Sequence, residues 1–434
     1  MKKLAVIILA AGKSTRMKSA VPKVLHPLCG RPMISYVLDV ARGLKAQRIV
    51  VVLGYKHEEV RTRLLPGVTP VIQKKLRGTA DALKSGLSRL KGFGGTVLVL
   101  YGDMPLVKAE NIRKLVDEHA TNGAAATLLV ARVDKPAEYG RILRDEYDSI
   151  KGIVEAKDAN DFQKEIKEIN TGIVCFDAKA LNGVLSRVKA NNRKREFYLT
   201  DTIAMLHTSG AIVEGVALKD MQEAMGVNSR EELAQANKVM QGRVLQGLMQ
   251  KGVSIIDPGS TFIGYGARIG EDTVIYPFTV IETDVIIGRR CSVGPFAHLR
   301  EGTCLEDDCI AGNFLELVRT RISRETWIKH FGYLGDTTVG RGANIGAGTV
   351  TANFDGRRKQ PTTIKEKAFI GCDTVFVAPV RIGKGAVTGA GSVVLKGTRV
   401  ADKATVVGIP ARPLQRQKVK GKRQKDFHTG HDNG

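Results

Sequence analysis

The sequence contains few aromatic residues and no long apolar segment. Only 5% of its 434 residues are Phe, Trp or Tyr, and Trp occurs once. This composition disfavours a conventional sandwich core, whereas the 47 glycines suit a repetitive architecture with many tight corners. No segment approaches the ~18 consecutive apolar residues that a membrane-spanning helix needs. We therefore expect no membrane insertion.

Cysteine pairs with the spacing of metal or redox motifs are also absent. The six cysteines are Cys29, Cys175, Cys291, Cys304, Cys309 and Cys372, and none belongs to a CxxC motif. Scattered thiols are typical of a reducing compartment, which predicts a cytoplasmic protein. The apolar stretch after the first two lysines ends at Ala11, so we interpret it as a buried first strand rather than a signal peptide.

Acidic residues are in the minority. The chain has 67 Lys and Arg against 44 Asp and Glu, a net charge of +23. Such a protein attracts polyanions, including nucleotides, sugar phosphates and coenzyme A. Residues 411–434 contribute to the excess, with seven cations and no acid between Arg412 and Lys425. We expect this tail to be disordered and solvated, and no nucleic-acid partner is expected because no recognised motif accompanies it.

A chain of this length is expected to form at least two domains. Residues 1–226 alternate short β-branched segments with amphipathic ones, which predicts a Rossmann-like α/β domain whose parallel sheet is covered on both faces. The predicted strands are Leu4–Ala10, Arg48–Leu53, Thr69–Gln73 and Thr96–Tyr101, and the predicted helices include Pro32–Arg42 and Thr79–Leu90. Ligands of such sheets bind beyond the carboxyl ends of the strands, so functional residues are expected there.

Residues 227–250 have the pattern of a helix. Ser229 precedes Glu231 and Glu232, which is the composition of a capped helix start. We predict a linker helix at this position.

Residues 251–410 repeat an aliphatic residue at every sixth position. The unbroken series is Ile263, Ile269, Ile275, Ile281, Ile287, Val293, Leu299, Leu305, Ala311 and Leu317; the pattern resumes at Ile322, Ile328, Leu334, Val339, Ile345, Ile370, Phe376 and Ile382. Neither a helix nor a flat amphipathic strand has this period. It fits a left-handed parallel β-helix, in which each hexapeptide forms one face of a triangular coil and its aliphatic residue points inward.

A candidate phosphate-binding turn follows the first predicted strand. Gly12 allows backbone amides to approach an anion, and Arg16 and Lys23 supply positive charge. The GKS sequence beginning at Gly12 matches the end of a Walker loop, but the first glycine of that motif falls on Ile7, so we reject a Walker loop. Asp103 follows another predicted strand at its carboxyl end, where an aspartate is either a helix cap or a metal ligand.

The motifs of the first half occur in a specific order. They are LAAGKSTRM (9–17), PKVLH (22–26), Gln73 with GTA (78–80), YGD (101–103), YGR (139–141), INTG (169–172), YLTD (198–201) and GVN (226–228). In this order the chain resembles the bifunctional GlmU family, over residues 4 to about 400. Members are N-acetylglucosamine-1-phosphate uridylyltransferases and glucosamine-1-phosphate acetyltransferases, which supply UDP-N-acetylglucosamine for peptidoglycan and lipopolysaccharide.

The resemblance assigns roles in the first half. Arg16 and Lys23 would act on the phosphates, and Asp103 and Asn228 would hold Mg²⁺. The nucleotide and sugar would be bound by Leu9, Ala10, Ala11, Gly12, Gln73, Gly78, Thr79, Tyr101, Gly102, Gly140, Glu155, Asn170 and Thr171. The implied reaction joins UTP to N-acetylglucosamine 1-phosphate and releases pyrophosphate. The sugar phosphate is already an anionic nucleophile, so cations, positioning and a metal are sufficient without a general base.

The resemblance also assigns roles in the β-helix. His330 would deprotonate the amine of glucosamine 1-phosphate, a task for a side chain that titrates near neutrality. The acceptor would be held by Arg300, Tyr333 and Asn344, and acetyl-coenzyme A by Ala347, Asn353, Phe354, Cys372 and Ala390. A homotrimer is implied, because the sites of such coils are shared between subunits.

The chain departs from the family pattern in its second half. Val318 stands where the family has a lysine that contacts the sugar phosphate. Phe354 replaces a tyrosine, and Cys372 replaces a serine. Close to Gly408, the arginine that the family has near the last coil is missing. Two alternatives therefore stay open. One is a nucleotidyltransferase for another sugar or base; the other is a β-helix that only oligomerises the protein.

Overall fold

The computed structural model of the protein describes residues 3–13 and 15–414. The chain divides between Val244 and Leu245 into two compact units, and this division falls inside one helix, Arg230–Met249. Within the described ranges, no helix combines the length and hydrophobicity that a bilayer crossing requires.

The first unit is a sheet flanked by helices. Its strands are β1 (Leu4–Ala10), β2 (Pro27–Leu28), β3 (Arg31–Pro32), β4 (Arg48–Leu53), β5 (Val68–Ile72), β6 (Thr96–Tyr101), β7 (Ala126–Arg132), β8 (Arg141–Arg144), β9 (Ile150–Val154), β10 (Glu168–Asp177) and β11 (Val213–Ala217). The helices are α1 (Met33–Gly43), α2 (His57–Arg61), α3 (Thr79–Leu87), α4 (Ala109–Asn122), α5 (Asp161–Lys164), α6 (Ala178–Leu185), α7 (Asp201–Thr208) and α8 (Arg230–Met249). Single 3₁₀ turns occur at Thr15–Met17, Lys23–Leu25 and Met221–Ala224.

Strand β1 shows why a wholly apolar segment becomes a central strand. Ala5 and Ile7 pack into a core cluster on one face of the sheet, and Val6 and Ile8 pack into a second cluster on the other face. Successive side chains of a strand point to opposite faces, so a strand that is covered on both sides has to be apolar throughout.

The sheet is mixed, which corrects the prediction of a parallel sheet. Its strand order is β11-β7-β10-β6-β1-β4-β5, with β8 and β9 attached through β10. Strands β6, β1, β4 and β5 run parallel, but β10 runs antiparallel to β6 and β7. A parallel neighbour needs a crossover connection, usually a long helix. Between β7 and β10 the chain instead forms the β8–β9 hairpin and the short helix α5, so β10 enters in the opposite direction.

The carboxyl ends of the parallel strands lie at one edge of the sheet. Ala10 at the end of β1 is paired with Leu53 of β4, which is paired in turn with Ile72 of β5. The loops that follow β1, β4, β5 and β6 therefore meet at this edge.

Helix α8 begins with the predicted cap. The Ser229 hydroxyl accepts a hydrogen bond from the amide of Glu232 (3.1 Å), and the Glu232 carboxylate accepts one from the amide of Ser229 (3.0 Å). This reciprocal pair satisfies two amides that have no partner within the helix.

The second unit is a parallel β-helix of three faces. Face 1 contains Ser254–Ile255, Val274–Ile275, Ser292–Val293, Ile310–Ala311, Trp327–Ile328, Asn344–Ile345, Phe369–Ile370, Val387–Thr388, Thr405–Val407 and Arg412–Pro413. Face 2 contains Phe262–Ile263, Val280–Ile281, His298–Leu299, Leu315–Val318, Gly332–Gly335, Thr349–Ala352, Val375–Val377 and Val393–Val394. Face 3 contains Arg268–Ile269, Ile286–Ile287, Cys304–Leu305, Arg321–Ile322, Thr337–Val339, Thr362–Ile364, Val380–Ile382 and Arg399–Val400.

The hexapeptide prediction is confirmed, because every aliphatic residue of the series is buried. Interruptions of the sequence pattern correspond to changes in coil length. Ile287 is paired with Leu305, 18 positions later, whereas Leu305 is paired with Ile322 after only 17. Val339 is paired with Ile364, 25 positions later, which makes room for a loop between Ala352 and Thr362.

The β-helix ends with a strand that reverses direction. Arg412–Pro413 pairs antiparallel with Val406 and Val407. These two residues belong to the tail that we predict to be disordered, so the disorder prediction does not hold at the start of the tail. Residues 415–434 lie outside the described part of the chain.

Candidate active site

A cleft of about 390 Å³ opens where β1, β5 and β6 end. Its lining includes ten residues predicted to bind nucleotide, phosphate or metal: Leu9, Ala10, Ala11, Gly12, Lys23, Gln73, Gly78, Thr79, Tyr101 and Asp103. Arg16 is exposed on the turn Thr15–Met17 and does not line this cleft. The structure thus brings most of the predicted first-half site together at one sheet edge.

Close backbone contacts hold the loops of this edge in place. The amide of Tyr55 donates to the carbonyl of Ala11 (3.1 Å), and the amide of Gly102 donates to the carbonyl of Leu9 (2.9 Å). A Cβ at Gly54 would lie 2.4 Å from the Ala11 carbonyl oxygen, so only glycine allows this approach. The loop after β1, which carries Gly12, is therefore fixed by its two neighbouring strands.

One ammonium group joins the most distant members of the site. Lys23 Nζ forms an ion pair with Asp103 Oδ2 and donates to Asn228 Oδ1 at 2.9 Å. These residues come from the turn after β1, the end of β6 and the start of α8. Their side chains thus form a cluster in which one ammonium group donates to two oxygen atoms.

The backbone brings Asn228 to Asp103. The amide of Val227 donates to the Asp103 carbonyl oxygen at 2.9 Å, which ties the two segments together. The amide of Asn228 donates to the Glu232 carboxylate, so the capping box of α8 also fixes the residue just before it.

The Asp103–Asn228 donor set fits a divalent cation. A carboxylate oxygen and an amide oxygen converge on a single positive centre, and hard cations such as Mg²⁺ prefer these ligands. Among the described residues no group of three or more His, Cys, Asp and Glu could hold a metal ion. A two-residue site agrees with Mg²⁺, which keeps waters and substrate phosphates as further ligands.

Gln73, Gly78 and Thr79 form the side of the cleft that follows β5. A Cβ at Gly78, where φ is +115°, would lie 2.5 Å from the Phe197 carbonyl oxygen, so glycine is needed there. The Thr79 hydroxyl accepts a hydrogen bond from the amide of Leu199 (2.9 Å). These contacts fix the start of α3 beside Gln73.

The residues predicted to bind the sugar lie around β9 and β10. Glu155 Oε1 accepts from the Thr200 hydroxyl (3.0 Å), and burial raises the pKa of the Glu155 carboxyl. The amide of Asn170 donates to the Gly140 carbonyl (2.9 Å), which places both beside Glu155. The Thr171 hydroxyl donates to the Leu129 carbonyl (2.7 Å), so it holds β10 against β7.

In the second unit, His330 lies on an exposed turn between face 1 and face 2, here called the 1–2 corner. Backbone bonds continue this corner through later coils: Gly348 N to Phe331 O, Asp373 N to Ala347 O and Gly391 N to Cys372 O, at 2.7–2.8 Å. His330 therefore shares one column with the predicted acetyl-coenzyme A residues Ala347, Cys372 and Ala390.

The remaining acetyltransferase candidates lie elsewhere on the coil. Tyr333 is on face 2 and its hydroxyl is 3.5 Å from Asn353 Oδ1, while Arg300 binds Glu316 at 2.8 Å. Asn344 is on face 1. Phe354 is exposed in the inserted loop, with the Lys359 ammonium 4.9 Å from its ring centroid. One chain therefore does not gather all of these residues at one corner.

Comparison with known proteins identifies both units. Residues 6–169 match the MobA-like NTP transferase domain, and residues 266–310 match the bacterial transferase hexapeptide (six repeats). The bifunctional protein GlmU of Pelotomaculum thermopropionicum is 44% identical, covering 87% of this chain and 90% of that protein. The GlmU protein of Geobacillus sp. strain WCH70 is 40% identical, with coverages of 89% and 92%. This chain belongs to the GlmU family. It is an enzyme with a nucleotidyltransferase unit and a hexapeptide transferase unit.

The structure shows the environment of the chain's departures from the GlmU pattern. Val318 is 4% exposed and ends a strand of face 2. The neighbouring Arg319 pairs with Asp336 through two bonds of 2.6 and 2.9 Å, and Arg321 pairs with Glu306. Neither arginine is unpaired, so neither is a ready replacement for the lysine that the family has at Val318.

Sequence reasoning missed several residues of the cleft. Lys13, Tyr55, Leu76 and Glu196 also line it. Asp81 was missed as well. It accepts a hydrogen bond from Gln73 and forms an ion pair with Arg77. An Arg and an Asp four positions apart at a helix start were the available signal for that pair.

Proposed function

We propose that the protein makes UDP-N-acetylglucosamine in two reactions. Residues 251–410 transfer an acetyl group from acetyl-coenzyme A to glucosamine 1-phosphate. Residues 1–226, completed by Asn228 from the linker 227–250, transfer a uridylyl group from UTP to the resulting sugar phosphate. The observation that carries the proposal is the Lys23 ammonium between Asp103 and Asn228 at the edge of the cleft.

The nucleotidyl step needs charge neutralisation and alignment. An oxygen of the sugar phosphate attacks the α-phosphorus of UTP, and pyrophosphate leaves from the opposite side. Both reactants are anions, so their approach is favoured by the Lys23 ammonium and by the positive charge of Arg16 and Lys13 in the same loop. The loop after β1, held by its neighbours, supplies backbone amides that fit a phosphate.

Mg²⁺ is the proposed cofactor, and Asp103 and Asn228 are its proposed ligands. When bound, the ion supplies further neutralisation of the phosphates. The Asp103 carboxylate also pairs with Lys23, which contacts both proposed ligands.

The sugar is proposed to bind beside Glu155, Asn170 and Gly140. A half-buried carboxylate and an amide are suitable partners for sugar hydroxyls, because polar groups withdrawn from water need hydrogen-bond partners. Tyr101 lines both the nucleotide cleft and the small adjoining cavity that contains Asn170, which connects the two proposed subsites.

For acetyl transfer we propose His330 as the general base. It takes a proton from the amine as the amine attacks the thioester carbonyl, and the coenzyme A thiolate leaves. Its exposed position in the column of Ala347, Cys372 and Ala390 supports this role. The acceptor is proposed to contact Arg300, Tyr333 and Asn344, and Asn353 and Phe354 are proposed to contact acetyl-coenzyme A.

A homotrimer is proposed because the outer surface of the β-helix differs between its faces. Trp327 and Phe369 are exposed on face 1, and Val280 and Val350 on face 2. Face 3 instead presents a row of arginines: Arg268, Arg321, Arg381 and Arg399. A cyclic trimer buries two different surfaces of each copy, which agrees with exposed apolar side chains on two of the three faces. Light scattering should give three times the chain mass, and a stable monomer would contradict the proposal.

A product assay tests the proposed function directly. The purified protein is incubated with glucosamine 1-phosphate, acetyl-coenzyme A, UTP and Mg²⁺, and the products are identified by mass. We expect UDP-N-acetylglucosamine, pyrophosphate and free coenzyme A. Uridylyl transfer without acetyl transfer would indicate that the β-helix is only a scaffold. A preference for ATP, GTP or dTTP would indicate another nucleotide substrate, and a preference for glucose 1-phosphate would indicate another sugar substrate.

The proposed location is the cytoplasm. All six cysteines are free thiols in the structure, which agrees with a reducing compartment. Cell fractionation tests this location.

A further inference from the structure

Gln73 lines the nucleotide cleft with its side-chain amide held in one orientation. The residue is 5% exposed. Its Nε2 donates to Asp81 Oδ2 at 2.9 Å and to the Gly78 carbonyl oxygen at 3.3 Å. No described residue donates to its carbonyl oxygen Oε1, which is therefore the end of the side chain that remains for a ligand.

The chemistry of the neighbours fixes which end of the amide faces them. A carboxylate and a backbone carbonyl only accept hydrogen bonds, so both require the amide NH₂. If the side chain were turned by 180°, Oε1 would face two acceptors, and the hydrogen bonds would become repulsions. The positions of the nitrogen and oxygen in the Gln73 side-chain amide are thus set by two neighbours, Asp81 and the Gly78 carbonyl, that can only accept hydrogen bonds.

Asp81 is itself fixed as an ionised acceptor. Arg77 Nη2 contacts Asp81 Oδ1 at 2.8 Å, and the Arg77 guanidinium is also 5.6 Å from the Phe197 ring centroid. Burial opposes ionisation of Asp81, but hydrogen bonds from Arg77 and Gln73 outweigh it, so the pKa of Asp81 lies below its usual value. Arg77, Asp81 and Gln73 therefore form a continuous chain of contacts from the surface to the cleft.

We propose that Asp81, oriented by Arg77, is a positioning residue that selects a base with an imide N–H by holding Gln73 Oε1 toward the cleft. Uracil carries such a donor at N3, which pairs with an amide oxygen. Cytosine has a bare lone pair at the same atom, so it faces Oε1 acceptor to acceptor. Thymine shares the imide of uracil, so Asp81 does not distinguish UTP from dTTP. This inference rests on the proposed use of the cleft for the nucleotide base.

The test compares nucleotide selectivity in variants at Asp81. The holoenzyme is assayed with Mg²⁺, N-acetylglucosamine 1-phosphate and UTP, CTP or dTTP, and binding of the nucleotides is measured by calorimetry. Asp81→Leu removes the nearer and charged one of the two acceptors and leaves only the Gly78 carbonyl at 3.3 Å, so Gln73 turns more readily and offers its NH₂ to cytosine. We expect the UTP-to-CTP ratio of kcat/KM to fall on the order of tenfold to a hundredfold, mainly through KM, because the discrimination is that of one buried hydrogen bond.

Three further variants separate positioning from a structural role. Asp81→Asn can still present an oxygen to Gln73, so it should keep the ratio within a few-fold of wild type. Arg77→Gln should lower the ratio less than Asp81→Leu. In a Gln73→Leu background, Asp81→Leu should change the ratio no further, because it acts through Gln73. The UTP-to-dTTP ratio should stay constant in Asp81→Leu.

A matched control removes a similar ion pair elsewhere. Glu118 pairs with Lys114, four positions earlier on α4, at 3.5 Å, and Glu118→Leu should leave all nucleotide ratios unchanged. A folded, active Asp81→Leu protein with the wild-type UTP-to-CTP ratio overturns the inference and leaves the proposed function intact. Should Asp81→Leu not fold, an unchanged ratio in Arg77→Gln overturns it instead. A wild-type protein that forms no product from UTP overturns the proposed function itself.

Discussion

The two units assemble their candidate sites by different routes. In the first unit Lys23 contacts residues 80 and 205 positions away in the sequence. In the second, neighbouring members of the 1–2 corner are one coil apart and follow one another along the chain. A site made from loops of a sheet depends on a few long-range contacts, whereas a site along a coil depends on a regular repeat. Single substitutions should therefore act differently in the two units.

The largest expected effect is that of Asp103→Ala on the first unit. Loss of this carboxylate removes the partner of Lys23 and a proposed metal ligand, so uridylyl transfer should fall on the order of 10³-fold or more. Acetyl transfer should stay at its wild-type rate, and each reaction is measured separately with its own substrates.

Asp117→Ala serves as the control for that substitution, because Asp117 is exposed on α4. Retention of most uridylyl transfer by Asp103→Ala, at the Mg²⁺ concentration added in the wild-type assay, would contradict the metal assignment.

His330→Ala is the corresponding substitution in the second unit. Removing a general base should lower acetyl transfer about 10²-fold and leave uridylyl transfer unchanged. The neighbouring Lys329, whose ammonium lies 5.0 Å from the Trp327 ring centroid, supplies the control variant Lys329→Ala. Equal acetyl transfer in the His330→Ala and wild-type proteins would exclude His330 as the base.

Ile287→Ala tests the repeat itself. Ile287 is 2% exposed within the coil, so the cavity should lower the free energy of unfolding by about 2–5 kcal/mol. Ile286, its neighbour on the same strand, points outward, and Ile286→Ala should have a much smaller effect. Chemical denaturation of both variants measures the difference; equal losses would mean that the inward hexapeptide position is not what stabilises the coil.

Glu155→Gln is expected to have the smallest effect, a gain in stability. Burial raises the pKa of Glu155 in the folded protein, so the wild type loses stability as the pH rises from the ordinary value of 4.5 to the raised one. The Gln variant has no such loss. Its melting temperature should match that of the wild type near pH 4 and exceed it at neutral pH, and the opposite pH trend would refute the burial effect.

Regular parts of the fold were predictable because burial imposes a period on the sequence. Strand β1 was predicted with its observed bounds, and all aliphatic residues of the hexapeptide series are inside the coil. The reversal of β10 was not predictable in this way. Its apolar pattern resembles that of a parallel strand, and its direction depends on the connection that precedes it.

Motif order identified most residues of the first site, but not their contacts. Lys23, Asp103 and Asn228 were each assigned to phosphate or metal from the family resemblance. That Lys23 contacts both of the others depends on the meeting of three distant loops. The Arg77–Asp81–Gln73 chain depends in the same way on how α3 lies against β5. Contacts between the side chains of different elements leave no periodic pattern in the sequence. They could therefore be found only in the structure.

The reversed strand at the end of the β-helix bears on self-association. A parallel coil ends in unpaired backbone groups, on which another coil of the same kind can stack to form a filament. Here Arg412–Pro413 covers Val406 and Val407 on face 1, and its outer edge carries a proline, which has no amide to donate, and a charged side chain. This short reversal thus makes end-to-end polymerisation on face 1 unfavourable.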